Sequence, residues 1–141
     1  MRIRAEQLEA FAPVAETAFE RRVALYLREH HAAEVVTLPE GERAVEDLDD
    51  ETLLRMARSG IARARAYGMS WESSITAFVV IMFVVAPNFD DHPLIRRTLE
   101  DEEVEPDLRV EQLWELTTEE NWEAAARDYD PGRWEPASEE V

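Results

Sequence analysis

The 141-residue chain contains no cysteine, which rules out a disulfide framework and any thiolate metal site. It contains no lysine either, since all 15 basic residues are arginine, a bias we attribute to high-GC coding. Catalytic signatures are missing as well. Neither an HExxH helix nor a glycine-rich phosphate loop is present, and Ser59, Ser70, Ser73, Ser74 and Ser138 all lack a GxSxG elbow. The opening MRIRAEQLEAF has no continuous apolar segment, so we expect no signal peptide and a cytoplasmic protein. The longest apolar run, Ile75 to Ala86, falls well short of the roughly 20 residues that cross a membrane.

Charge is plentiful and of one sign. The net charge is −17, and it is unevenly spread. Residues 1–88 hold 14 acids against 10 arginines, a net of −4, whereas 89–141 hold 18 against 5, a net of −13. Binding to a phosphate backbone needs the opposite sign, so nucleic acid is excluded as a partner and a basic protein surface is allowed. A solubilising acidic surface is the simpler reading of the same numbers.

The run ITAFVVIMFVVA organises the chain. Ser70 is placed to cap it, Glu72 suits the first helical turn, and Pro87 stops it, so the spacing predicts a central helix over about 70–86. A helix that is apolar on every side needs neighbours all round. Its expected neighbours begin with a long helix over about 6–30, striped by Leu8, Phe11, Ala15, Phe19, Val23, Tyr26 and Leu27. Pro13 lies in that helix and predicts a kink or a late start. Residues 31–48 break the periodicity and read as a loop turning at Pro39-Glu40-Gly41. Asp49 then caps a second helix that buries Leu53, Ala57, Ile61 and Ala64 and exposes Arg55, Arg58, Arg63 and Arg65. Gly60 in that helix allows close packing on the central rod, and Gly68 ends it in a left-handed turn. Beyond the rod, Asp91 or His92 with Pro93 starts a short helix, Pro106 opens another, and Thr117-Thr118-Glu119-Glu120 restarts the chain as a Thr-x-x-Glu capping box. The whole reads as an all-α bundle of five to six helices in one domain over 1–130, with 131–141 as a C-terminal tail. No internal repeat or low-complexity linker is evident.

Three clusters compete as candidate chemistry. His30, His31 and Glu34 fall within one turn and offer a weak metal alternative, although zinc needs further ligands. A polar helix end is the simpler reading. Asp90, Asp91 and His92 suit acid–base work or a hard cation, but the Pro93 that follows makes them equally good caps. The third cluster is aromatic: Trp114, Trp122 and Trp134 lie in the acidic third of the chain, near Glu102, Glu103 and Glu105. Tryptophan is enriched at binding hot spots, and an acidic rim selects a basic partner. Trp114 and Trp122 are expected to pack under the central helix. Trp134, past the Pro131-Gly132 break, is the better contact candidate.

RxEQLEAF near the start, GIARARAYG, an apolar helix running into PNFDDHP, and LWELTTEENWEAA complete the pattern. Arg4 to Phe11, Gly60 to Gly68, Phe83 to Pro93 and Leu113 to Ala125 carry it. In this order the segments resemble a group of small bacterial all-helical proteins associated with gene neighbourhoods of type VI secretion spike and effector proteins. Pro13 and the VVTLPEGERAVEDL stretch depart from the pattern. The resemblance implies a helical fold and a neighbourhood, and carries over no active-site residue and no cofactor. The expected function is therefore a non-enzymatic interaction protein: an adaptor, chaperone or immunity partner of a secreted effector. The alternative is a metal- or ligand-binding bundle, or an enzyme, using His30/His31/Glu34 or Asp90/Asp91/His92.

Overall fold

The apolar run does form a helix. In the computed structural model, which describes the backbone of residues 5–135 and the side chains of 15–135, it is α3 (Glu72–Val84). The side chains of the expected stripe residues Leu8 and Phe11, and residues 136–141 with Ser138, lie outside the described part. Before α3 come α1 (Ala5–His30), the strands β1 (Val35–Leu38) and β2 (Gly41–Ala44), and α2 (Asp50–Ala66). After it come α4 (Pro93–Leu99), α5 (Arg109–Leu116) and α6 (Glu119–Arg127). Pro13 lies within α1, which starts at Ala5 rather than late.

Local chemistry explains most boundaries. The Asp49 carboxylate accepts from the Thr52 N–H at 3.1 Å and caps α2. Those hydrogen bonds hold its carboxyl below the usual range. Gly68 turns the chain at φ 101°, a region that a side chain disfavours. Pro93 opens α4 behind His92, whose Nδ1 accepts from the Leu94 N–H at 3.2 Å. The capping box of α6 uses Thr118 and Asn121 rather than Thr117 and Glu120. Thr117 instead accepts from the Trp122 indole N–H at 2.8 Å.

Ser70 is not the cap of α3. The N-cap is Trp71, without a side-chain bond, and the carboxylate that serves this end comes from far along the chain. Asp107 accepts from the Ser70 and Trp71 N–H groups at 2.9 and 2.8 Å and from the Ser74 hydroxyl at 2.5 Å. Ser70 Oγ also donates to it, at 3.1 Å. A carboxylate at this end satisfies orphan donors and meets the positive pole of the helix.

α2 runs against α3, and Gly60 is the point of closest approach. A Cβ there would stand 2.7 Å from Met82 Sδ and 3.0 Å from Val79 Cγ2. The core centres on α3: Ile75, Phe78, Val79 and Met82 are fully buried with Leu27, Ile61, Phe89, Leu99 and Leu113.

The fold is mostly helical, but it is not all-α. Residues 35–44 form an antiparallel hairpin with Val35 opposite Ala44 and Leu38 opposite Gly41. Two four-residue strands are marginal alone, and this pair is held from its outer edge. The Thr37 N–H donates to Tyr129 Oη at 2.9 Å, and Trp134 Nε1 donates to the Thr37 carbonyl at 3.0 Å.

The same contacts correct the expected tail. Residues 131–134 form a single 3-10 turn, Trp134 is 1% exposed, and its ring packs 4.8 Å from that of Phe83. Asn88 fastens the approach by donating to the Asp128 carbonyl and accepting from the Asp130 N–H, both at 2.9 Å.

Phe78→Ala and Trp134→Ala should each lower the unfolding free energy by about 3–5 kcal/mol in urea titrations, and a loss below about 1 kcal/mol would contradict the burial of that ring. Asp107 provides a pH test. Burial pushes its carboxyl up, but the hydrogen bonds from Ser74, Trp71 and Ser70 outweigh this and hold it below its ordinary 3.8. A folded-state pKa below the unfolded one adds stability that is complete above the unfolded value and lost as pH falls through the folded value. Asp107→Asn should therefore destabilise the protein at pH 7, and the melting-temperature gap from wild type should narrow as pH drops through about 4 to 3.

Candidate functional site

The charged cluster and the apolar surface lead to different conclusions. In the first, Arg63 is drawn from the expected basic outer face of α2 into the protein. Its guanidinium pairs with Asp90, whose side chain is 3% exposed, and donates to the Pro87 carbonyl at 2.5 Å. Tyr67 Oη donates to the other Asp90 oxygen at 2.6 Å. Burial pushes the Arg63 guanidinium below its ordinary value while the Asp90 charge opposes the shift. Burial and the bond to Asp90 push the Tyr67 phenol up. Arg96 donates to the Asp90 carbonyl at 3.0 Å and to Asp91 at 3.1 Å, and Arg133 reaches Asp91 at 2.7 Å.

These groups border an open cleft of about 770 Å³ with Arg109, whose guanidinium donates to the Tyr67, Leu99 and Val104 carbonyls. Every arginine here is already engaged by a carboxylate or a carbonyl of the same chain. Asp90 and Asp91 thus join the 3-10 turn Phe89–Asp91 to α2, α4 and the C-terminal turn, and His92 caps α4.

The His30 and His31 rings lie tilted against Tyr26, with centroids 4.5 and 5.9 Å away. Among the described residues, no group of three or more His, Asp or Glu side chains is placed to hold a metal ion. The other arginines of α2 are drawn toward acids: Arg58 to Glu20, Arg65 to Glu16 and Arg55 to Glu135.

The apolar surface comes from α3 itself. Ser73, Thr76, Ala77, Val80 and Val84 recur at three- and four-residue steps, so they share one face; among the described residues Ser73 and Val84 are exposed there and Thr76, Ala77 and Val80 are half-buried. Val84 is 48% exposed. Among the described residues the rod is therefore wrapped on most sides and only partly covered on one. Tyr26 of α1, 41% exposed, edges this face together with Trp114 of α5 and Trp122 of α6, forming a groove of about 660 Å³.

Trp122 is the fixed wall. Its indole bonds to Thr117, and its ring lies 6.3 Å from that of Phe89 in the core. Trp114 rests on it with ring centroids 5.3 Å apart and is 58% exposed.

Of the three expected contact tryptophans, the structure brings Trp114 and Trp122 together and removes Trp134 to the core. It also reverses the expectation that Trp114 is buried. Glu102, Glu103 and Glu105 are exposed but line no part of the groove, and Glu102 borders the charged cleft instead. Sequence reading does not mark Tyr26 and Val84 as surface residues, or Val80 as half-exposed. The available signal was the length of the apolar run, which exceeds what the neighbouring short helices cover.

Asp90→Ala should cost about 3–5 kcal/mol by stranding the Arg63 charge, and the double variant Asp90→Leu/Arg63→Met should recover much of it. Urea unfolding of the three proteins checks the cycle. No protein-family model matches the chain, and neither a curated protein nor a solved structure shows significant similarity to it.

Proposed function

We propose that this is a non-enzymatic interaction protein that holds a partner protein in the groove along α3. The carrying observation is the partly exposed, mainly apolar face of α3 with Trp114 propped on Trp122. Isolated exposed hydrophobic residues are ordinary, but a contiguous apolar trough edged by aromatic rings is a feature of protein-binding surfaces. The resemblance to proteins from type VI secretion neighbourhoods makes the partner a secreted effector or spike component with a basic surface. The role is that of an adaptor, chaperone or immunity protein in the bacterial cytoplasm. The acidic charge supports this choice of partner, because complementary charge speeds encounter and suppresses wrong partners. It equally disfavours nucleic acid. No helix among the described residues is long and apolar enough to cross a membrane.

A tagged pull-down from the organism that carries the protein, read by mass spectrometry, tests this reading. The expected result is reproducible recovery of a secretion effector or spike protein. Trp114→Ala should reduce that recovery about tenfold while leaving stability within about 1 kcal/mol. Co-expression then separates the roles: an immunity protein abolishes the effector's toxicity, whereas an adaptor leaves it intact. Failure to recover any protein reproducibly would overturn the reading.

A further inference from the structure

Resting on the interaction reading above, the nature of the bound segment follows from the walls of the groove. We infer that the groove takes an amphipathic α-helix of the partner, apolar face down, with lysine or arginine along the flank that meets α5 and α6. Three observations carry this.

The first is shape. The open face runs from Ser73 to Val84, about 17 Å at 1.5 Å per residue, or roughly three helical turns. Ala77, near its middle, leaves room between Tyr26 on one side and Trp114 on the other. A helix presenting apolar residues at i, i+3 or i+4, i+7 and i+11 matches that length.

The second is backbone chemistry. Every wall of the groove is helical, so it offers no row of free N–H and C=O groups to pair with an added strand. An extended segment would bury its own peptide groups unpaired against Val80, Val84 and the indoles, at a cost of a few kcal/mol each. A helix arrives with those groups already satisfied.

The third is charge. Glu111 stands one turn before Trp114 on α5, Glu119 stands one turn before Trp122 on α6, and Glu115 and Glu123 adjoin the two rings in sequence. All four are exposed, and none forms an ion pair among the described residues. On the opposite wall Arg22 and Glu72 neutralise each other at 2.9 Å. Exposed acids without an ion pair are therefore concentrated on the α5–α6 side, four there against Glu29 alone beside Tyr26. The exposed face of Trp114 adds a cation–π site for a guanidinium or ammonium group. A second copy of this chain is a poor occupant, since it would bring the same acidic wall and a further −17 charge.

The test uses tryptophan-free peptides of about 18 residues with purified full-length protein, read by intrinsic tryptophan fluorescence and calorimetry. One peptide is a Leu/Lys amphipathic helix, the second replaces each Lys with Glu, and the third scrambles the Leu/Lys sequence to destroy its apolar face. The first should bind with micromolar affinity and the other two at least about tenfold more weakly. Val84→Glu should weaken the first by about tenfold or more and Trp114→Ala by several-fold, with both variants checked by circular dichroism for unchanged melting. Equal binding of the first and third peptides, or unchanged affinity in both variants, would overturn the inference. If the native partner is captured equally by wild type and Val84→Glu, the groove assignment fails while the interaction reading stands. If no partner is captured at all, the interaction reading fails, whatever the peptides do.

Discussion

A thirteen-residue helix with no polar side must be covered by whatever chain remains, and that constraint shapes the whole structure. α2 comes close enough because Gly60 removes the Cβ that would strike Met82. α1, α4 and α5 contribute Leu27, Leu99 and Leu113 to other sides. The C-terminal turn closes the far end with Trp134 on Phe83. α5 and α6 are short, eight and nine residues, and α1 meets α3 from the opposite direction at Tyr26. Among the described residues the strip between them is only partly covered, so the surface read as functional is the part of the central helix that these neighbours leave half-open.

Both ends of α3 are fixed by charge from distant sequence. Asp107 collects the donors at the start, and Arg63, Tyr67 and Asp90 meet just beyond the end, where Asn88 also clamps residues 128–130. Buried polar groups of this kind add little net stability, because desolvation offsets much of their attraction, yet leaving one of them unpaired is expensive. Their effect is to fix where α3 sits along its axis, which sets the position of Val80 and Val84 relative to Trp114.

Much of this was legible locally. The Asp49 cap, the Gly68 turn, the Pro93 start and the tight fit at Gly60 follow from chemistry within a few residues or from the need of one apolar helix for a close neighbour. What was not legible depends on partners remote in sequence. Arg63 reads as a surface residue until Asp90 arrives 27 positions later, and Ser70 reads as a cap until Asp107 displaces it. Trp134 looked like tail because the Pro131-Gly132 break hides its bond to Thr37, 97 positions earlier. The hairpin was missed for the same reason: strands of four residues carry little periodicity, and much of this pair's support comes from Tyr129 and Trp134. Trp114 was misread because an apolar ring at helical spacing usually faces inward, and here the site under it is already filled by Trp122.

The link from Thr37 to Tyr129 and Trp134 has a consequence for synthesis. A strand edge with free N–H and C=O groups is a template for pairing with another chain. Residues 35–44 leave the ribosome long before residues 129–134 do, so on the nascent chain the outer edge of β1 has only water or a foreign strand to bind. At ordinary elongation rates of about 5–20 residues per second, that exposure lasts on the order of five to twenty seconds. The two aromatic side chains that finish the fold thus also end its period of greatest vulnerability to mispairing.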